Sequence, residues 1–132
     1  MKQIAYLTTE KIIELNILAL SIFKVKKADK PHVLSYKKIE DITNGCIQVK
    51  GDVYDKATFF LKEIVRKHPF ASGNHRTAVI AAKAFIQANK AVFSPKDDSS
   101  QVTVLMGIRE DYYSDQEIKE WIQPDKIREF RR

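Results

Sequence analysis

Residues 68–88 read His-Pro-Phe-Ala-Ser-Gly-Asn-His-Arg-Thr-Ala-Val-Ile-Ala-Ala-Lys-Ala-Phe-Ile-Gln-Ala, a short polar stretch followed by an almost continuous apolar one. The apolar part, Ala78 to Ala88, predicts a helix buried on most of its faces, which is typical of the centre of a helical bundle. Because the residue before a proline is disfavoured in the α region, a preceding helix is expected to end at His68. The stretch therefore predicts two helices joined by a compact polar loop.

Helical periodicity on both sides of this stretch predicts an all-α bundle around the Ala78–Ala88 helix, in a single domain, 1–132. The first helix is expected to be largely buried, and the second to stop at Asn44-Gly45. Lys26–Val33 is expected to be a loop, and the alternation at Ile47–Lys50 predicts a short strand or flap. The expected helix starts are Thr8 or Thr9, Ser35, Val53, Ser99 or Ser100, Ser114 with Glu117 in a capping box, and Pro124.

Composition points to a water-soluble protein. Hydrophobic residues make up 44% of the 132 residues, which is enough for one core. The lone cysteine, Cys46, cannot form an internal disulfide and is expected to be a packed side chain in a reducing compartment. No apolar run approaches the roughly 20 residues of a membrane helix, and the N-terminus lacks a signal-peptide pattern. We expect a cytoplasmic protein that does not contact a membrane.

The sequence is basic, with a net charge of +6. The segment from Lys24 to Lys38 contains six lysines and one acidic residue. Such a balance favours an acidic partner, whether a nucleotide, a nucleic acid or an acidic protein, or else it forms a solvated surface. No basic stripe is interleaved with aromatic residues, so nucleic acid is not the expected partner.

The backbone around Gly73 predicts a phosphate site. The first turn of a helix has N–H groups with no internal acceptor, and the helix dipole adds positive charge there. A glycine lets successive N–H groups turn toward one point. Ser72 and Asn74 favour turns and caps, and Arg76 adds a permanent cation suited to phosphate. The pattern therefore indicates a phosphate cradle at the start of the apolar helix.

His68 adds a base beside this cradle. If the two helices are antiparallel, His68 faces the loop, and an imidazole that titrates near neutrality can take a proton from a hydroxyl. A base beside a phosphate site is what transfer of a phosphate-containing group to a hydroxyl requires. Neither of the other histidines is a rival, since His32 lies in a separate polar loop and His75 is part of the cradle.

The stretch from His68 to Thr77 resembles the signature of Fic/Doc proteins, His-x-Phe-x-(Asp/Glu/Asn)-(Gly/Ala)-Asn-x-Arg. It is most similar to the death-on-curing (Doc) branch, because Arg76-Thr77-Ala78 is followed by Val79 and no second arginine. Weaker resemblance extends over the whole chain, at Tyr6–Thr8, Tyr54–Ala57, Phe85–Asn89 and Trp121-Ile122.

This resemblance implies a helical Fic/Doc domain that transfers AMP or a phosphoryl group from ATP or another nucleoside triphosphate to a protein hydroxyl. Doc proteins phosphorylate the translation factor elongation factor Tu, so a translation factor is an expected substrate. By the same resemblance His68 is the general base, and Phe70 is a buried anchor of the loop. The residues expected to bind phosphate or nucleotide are Ser72, Gly73, Asn74, His75 and Arg76. Arg76 would also act in catalysis by neutralising the charge that develops.

The resemblance also implies a hairpin flap that aligns the target chain, for which Asn44–Gly51 is the expected segment. The inhibitory pattern Ser/Thr-x-x-x-Glu-(Gly/Asn) of many Fic proteins is absent from the sequence. If the protein is a toxin, it is therefore expected to be restrained by a separate antitoxin, as Doc is.

Two residues depart from the family pattern. Ser72 stands where an acid usually helps to hold Mg²⁺, and a hydroxyl is a weaker ligand than a carboxylate; Asp97 or Asp98 are potential substitutes. His75 stands where Doc has lysine and Fic has glycine. The alternative to a transferase is therefore a weakened Fic/Doc module that binds nucleotide, phosphate or a partner protein without transfer. A basic helical DNA-binding protein is a third hypothesis.

Overall fold

The computed structural model describes residues 3–22 and 31–131, and these residues form helices without any strand or sheet. The predicted all-α fold is confirmed. Residues 24–30, with four of the six lysines, lie outside the described residues, as does most of the loop expected at 26–33. The helices are α1 (Thr9–Ile22), α2 (Tyr36–Gln48), α3 (Val53–Lys67), α4 (Asn74–Ala88), α5 (Ser99–Arg109) and α6 (Asp115–Ile122).

Most helix starts follow the sequence signals. Side-chain caps form at Thr8, at Ser35 and at Ser114, where Glu117 completes the capping box. The cap expected at Ser99 or Ser100 is wrong by one position, because the Asp98 carboxylate accepts the Ser100 N–H and takes the N-cap place of α5. No helix starts at Pro124. Instead, the guanidinium of Arg128 lies 4.0 Å from the ring centre of Tyr112, and the Tyr113 hydroxyl donates to the Arg128 carbonyl.

The predicted end of α2 and the predicted flap are both wrong. α2 continues through Asn44-Gly45 to Gln48, so Asn44–Gly51 forms no hairpin and Ile47–Lys50 no strand. The reason is packing, because a Cβ on Gly45 would lie 2.5 Å from the ring of Phe59 on α3. Gly45 thus serves close approach of two helices rather than termination.

Burial of α1 is only partial. Ile12, Leu15 and Ala19 lie in the core, whereas Ile17, Leu18 and Ile22 are 45–59% exposed. The expectation of a largely buried first helix is therefore wrong for one face of α1, the face with Ile17, Leu18 and Ile22.

The core forms around α4, which has Ala78, Ala81, Ala82, Phe85 and Ile86 fully buried. Its small side chains let neighbours approach closely, and the rings of Phe85 and Phe60 stack 6.4 Å apart between α4 and α3. α3 contacts α2, α4, α5 and α6, while α1 packs on α4. This arrangement fixes the loop between α3 and α4 at one end of the two central helices.

Candidate active site

His68 lies where α3 ends, as predicted. It is the C-cap residue in the left-handed region (φ 49°), with its N–H donating to the Ile64 carbonyl at 3.3 Å. This conformation is uncommon for residues other than glycine, although histidine adopts it more readily than most. It turns the exposed imidazole toward α4, where its ring centre lies 6.3 Å from that of His75. The structure thus brings together two histidines that the sequence placed in one motif.

The loop is closed by the side chain of Asn74. Its Oδ1 accepts the Phe70 N–H at 3.0 Å, and its Nδ2 donates to the Phe70 carbonyl at 2.9 Å. Phe70 itself is 1% exposed, which agrees with its expected place as a buried anchor. The Asn74 amide is therefore engaged in this clamp, and its backbone N–H lies in the first turn of α4.

An extended segment, residues 32–35, lies along the loop. The Ala71 N–H donates to the His32 carbonyl at 2.9 Å, and Leu34 donates to the Pro69 carbonyl at 2.8 Å. Val33 and Phe70 form an antiparallel bridge. Extended backbone beside the motif therefore comes from this segment and not from Asn44–Gly51. Nothing in the sequence around His32 indicated this pairing, because it joins positions almost forty residues apart.

The predicted phosphate cradle lies at the start of α4, where the helix has no side-chain cap. Gly73 is its N-cap, at φ 75°, and offers no side chain to accept the first N–H groups. The first intrahelical bond runs from Thr77 N–H to the Gly73 carbonyl, at 2.9 Å. The N–H groups of Asn74 and His75 consequently have no intrahelical acceptor, and they lie at the positive end of the helix dipole.

Asn16 of α1 also contacts this loop, although it lies more than fifty residues before the motif. It is 1% exposed, and its Nδ2 donates to the Ser72 carbonyl at 3.0 Å and to the Thr77 hydroxyl at 2.9 Å. The available signal was a lone asparagine within an apolar helix face, next to Leu15 and one turn after Ile12.

The comparisons with known proteins identify a family for the chain. A family model described as the Fic/DOC family matches residues 6–86, more than half of the chain. The chain belongs to the Fic/DOC family. A search of curated proteins gives no match. The matched range ends within α4, so it includes His68 and the whole of the loop.

His75 is the most perturbed group of this Fic/DOC site. Burial lowers its pKa below the ordinary value, and the nearby charges of His68 and of Arg109, at the end of α5, lower it further. At neutral pH the side chain is therefore uncharged, so it provides no permanent positive charge to the cradle.

Arg76 is half-buried on the side of α4 that faces the loop before α5. It lines a cleft of about 90 Å³ together with Lys83, Phe93, Asp97 and other residues. The cleft places a cation and a carboxylate beside the cradle.

The residues do not form a ready Mg²⁺ site of the usual family kind. Ser72 replaces the acid, and Asp98 is committed to capping α5. Asp97 lies at the Arg76 cleft. Within residues 3–22 and 31–131, no group of three or more histidine, cysteine or acidic side chains could hold a metal ion. Mg²⁺ commonly needs only one or two protein carboxylates when phosphates supply the other oxygens.

The described helices include none that is both long and apolar enough to span a membrane.

Proposed function

We propose that the chain is a Doc-branch transferase that moves a phosphoryl or AMP group from ATP, or from another nucleoside triphosphate, to a protein hydroxyl. The main support is the position of His68, which lies 6.3 Å, ring to ring, from His75 in the first turn of α4. The proposal takes His68 as the proton acceptor and the start of α4 as the anion site, because both lie at the same end of α3 and α4.

In this proposal the nucleotide phosphates bind at the N–H groups of Gly73, Asn74 and His75, and Arg76 neutralises the charge that develops on them. Nδ1 or Nε2 of His68 accepts the proton of the target hydroxyl as its oxygen bonds to phosphorus. Phosphoryl transfer breaks the bond to the γ-phosphate and releases ADP, whereas AMP transfer breaks the bond after the α-phosphate and releases pyrophosphate. Mg²⁺, if it enters with the nucleotide, would neutralise phosphate charge, and Ser72 is the motif residue able to contact it.

The proposed substrate is a cytoplasmic protein, such as a translation factor. A toxin of a toxin–antitoxin pair is the setting that this activity suits best, with an antitoxin as the second partner. The net charge of +6 supports an acidic partner.

The experiment uses ATP labelled at the α or at the γ phosphate, incubated with the protein, Mg²⁺ and cell extract. Label from γ alone on a protein band indicates phosphorylation, and label from α indicates AMP transfer. His68→Asn is expected to reduce the rate by about 10²- to 10⁴-fold, the usual contribution of a general base.

His32→Gln is the matched control, since it removes a histidine whose backbone, not its imidazole, bonds the loop. It should keep the wild-type rate. Equal activity of His68→Asn and wild type would exclude the proposed mechanism.

A second function is favoured by Ser72 and the uncharged His75, which together weaken charge neutralisation at the site. In that case the chain binds nucleotide or phosphate, or only a partner protein, without transfer. Nucleotide binding that needs no Mg²⁺, with no labelled protein from either form of ATP, would favour this binding module.

A further inference from the structure

The buried amide of Asn16 holds the loop at two points. Its two Nδ2 protons are used separately, one by the Ser72 carbonyl at 3.0 Å and one by the Thr77 hydroxyl at 2.9 Å. Thr77 is fully buried in the second turn of α4, so the amide is fixed between a loop residue and the helix that follows. Such a doubly bonded, buried amide has little freedom to rotate.

Through the planar Ser72–Gly73 peptide, this contact also fixes the direction of the Gly73 N–H. Among the described residues only the Gln123-Pro124 bond is cis, so this peptide is trans. In a trans peptide the C=O and the following N–H point in opposite directions. Because the Ser72 carbonyl points into α1 toward Asn16, the Gly73 N–H points away from α1, toward the open side of the loop.

The close approach of α1 to Gly73 supports the same view. A Cβ on Gly73 would lie 3.0 Å from Leu20 Cδ2 and 3.4 Å from Asn16 Nδ2. Gly73 is therefore held at its positive φ against α1 while its N–H faces the other way. The Gly73 N–H is then ready to donate before any ligand arrives, which is what an effective anion site requires.

We propose that Asn16 is a positioning residue, which aims the Gly73 N–H at phosphate oxygens by holding the Ser72 carbonyl on the opposite side of the peptide. The inference takes phosphate as the ligand from the proposed function, whereas the direction of the Gly73 N–H follows from the contacts of Asn16 alone. Asn16 does not touch the phosphates and acts through Gly73.

The test compares wild type with Asn16→Leu, which keeps the number and branching of the side-chain heavy atoms but loses both hydrogen bonds. Residual dipolar couplings report the direction of the Gly73 N–H in the ligand-free protein, and its amide cross-peak reports ATP binding in a titration. Asn16→Leu is expected to change the Gly73 coupling and to weaken ATP binding about tenfold or more, because a misdirected donor no longer meets the anion.

Two further variants separate positioning from stability. Thr58→Val removes a buried hydroxyl that donates to the Tyr54 carbonyl at 2.8 Å, on α3 and away from the loop. It should leave the coupling and the ATP affinity unchanged. Thr77→Val removes only one of the two contacts of Asn16, so a smaller loss is expected, and it replaces Asn16→Leu if that variant does not fold.

The outcomes are distinct. Unchanged coupling and affinity in Asn16→Leu, or in Thr77→Val if that variant takes its place, would overturn the inference, as would an equal loss in Thr58→Val. If wild type binds no ATP, the proposed nucleotide function fails, while the Gly73 coupling still decides whether Asn16 sets the direction of this N–H.

Discussion

Lys56 on α3 is a buried cation whose removal should destabilise the fold. It is 5% exposed, and its ammonium donates to the carbonyls of Cys46 and Ile47, both at 3.2 Å, and of Val49. These carbonyls lie at the C-terminal end of α2 and at its C-cap, Val49, where the helix dipole is negative and the last backbone oxygens lack a full set of helical donors. One side chain thus caps α2 and joins it to α3.

The expected cost follows from these contacts. Hydrogen bonds to a charged group contribute about 1.5–3 kcal/mol each, but one ammonium shared by three acceptors will not give the full sum. Replacing Lys56 by methionine also removes the desolvation cost of the cation. We therefore expect Lys56→Met to lower the free energy of unfolding by about 2–4 kcal/mol. For a chain of this length that corresponds to a fall in Tm of about 10 °C.

Urea denaturation followed by circular dichroism measures this change, and Lys62→Met is the matched control. Lys62 lies on the same helix, but it forms an ion pair with Asp115 at 2.7 Å at the surface, with 23% of its side chain exposed. Its replacement should cost less than about 1 kcal/mol. If Lys56→Met and Lys62→Met lose the same stability, the capping argument is wrong.

Three more predictions concern single side chains. Ser72→Asp is expected to restore a carboxylate to the cradle and to tighten Mg²⁺-dependent ATP binding, measured by calorimetry with and without the metal; equal affinity in wild type would count against it. Because burial, His68 and Arg109 hold the pKa of His75 below 6.5, Arg109→Ala should raise it, as seen in imidazole NMR shifts. The unfolded chain takes up this proton at higher pH than the folded one, so wild type should lose more stability than His75→Gln between pH 7 and 5.5. Burial raises the pKa of the Cys46 thiol to about 11, so iodoacetamide should label it at pH 8 only after unfolding, as read by mass spectrometry.

Local signals in the sequence predicted most of the fold. The caps at Ser35 and Ser114 and the end of α3 before Pro69 depend on neighbouring residues, which the sequence displays directly. The same holds for the approach of His68 to the first turn of α4, since a short loop between two antiparallel helices leaves its ends close together. The predictions that were wrong concern residues whose conformation depends on contacts with residues far away in the sequence.

Gly45 and Gly73 illustrate that difference. The sequence predicts a helix boundary at both, yet of the two only Gly73 has a positive φ. Gly45 lies inside α2, and the Phe59 ring occupies the space that its side chain would need. A glycine in the sequence shows only that a Cβ is absent. It does not show whether the reason is a positive φ or a neighbour packed too closely for a side chain. A neighbour on another helix is not visible in a single sequence.

For Asn16 the sequence predicts part of the interaction, and the structure is needed for the rest. A polar residue within a buried helix face must find hydrogen-bond partners, so its sequence position predicts a polar contact without naming the partner. The structure supplies the partner, the Ser72 carbonyl, at 3.0 Å. Burial of the amide and the planarity of the Ser72–Gly73 peptide then act together, since fixing one end of a planar unit fixes the other. Under the proposal made above, the buried contact of Asn16 sets the direction of the Gly73 N–H, so the proposed anion site would depend on α1 as well as on the motif.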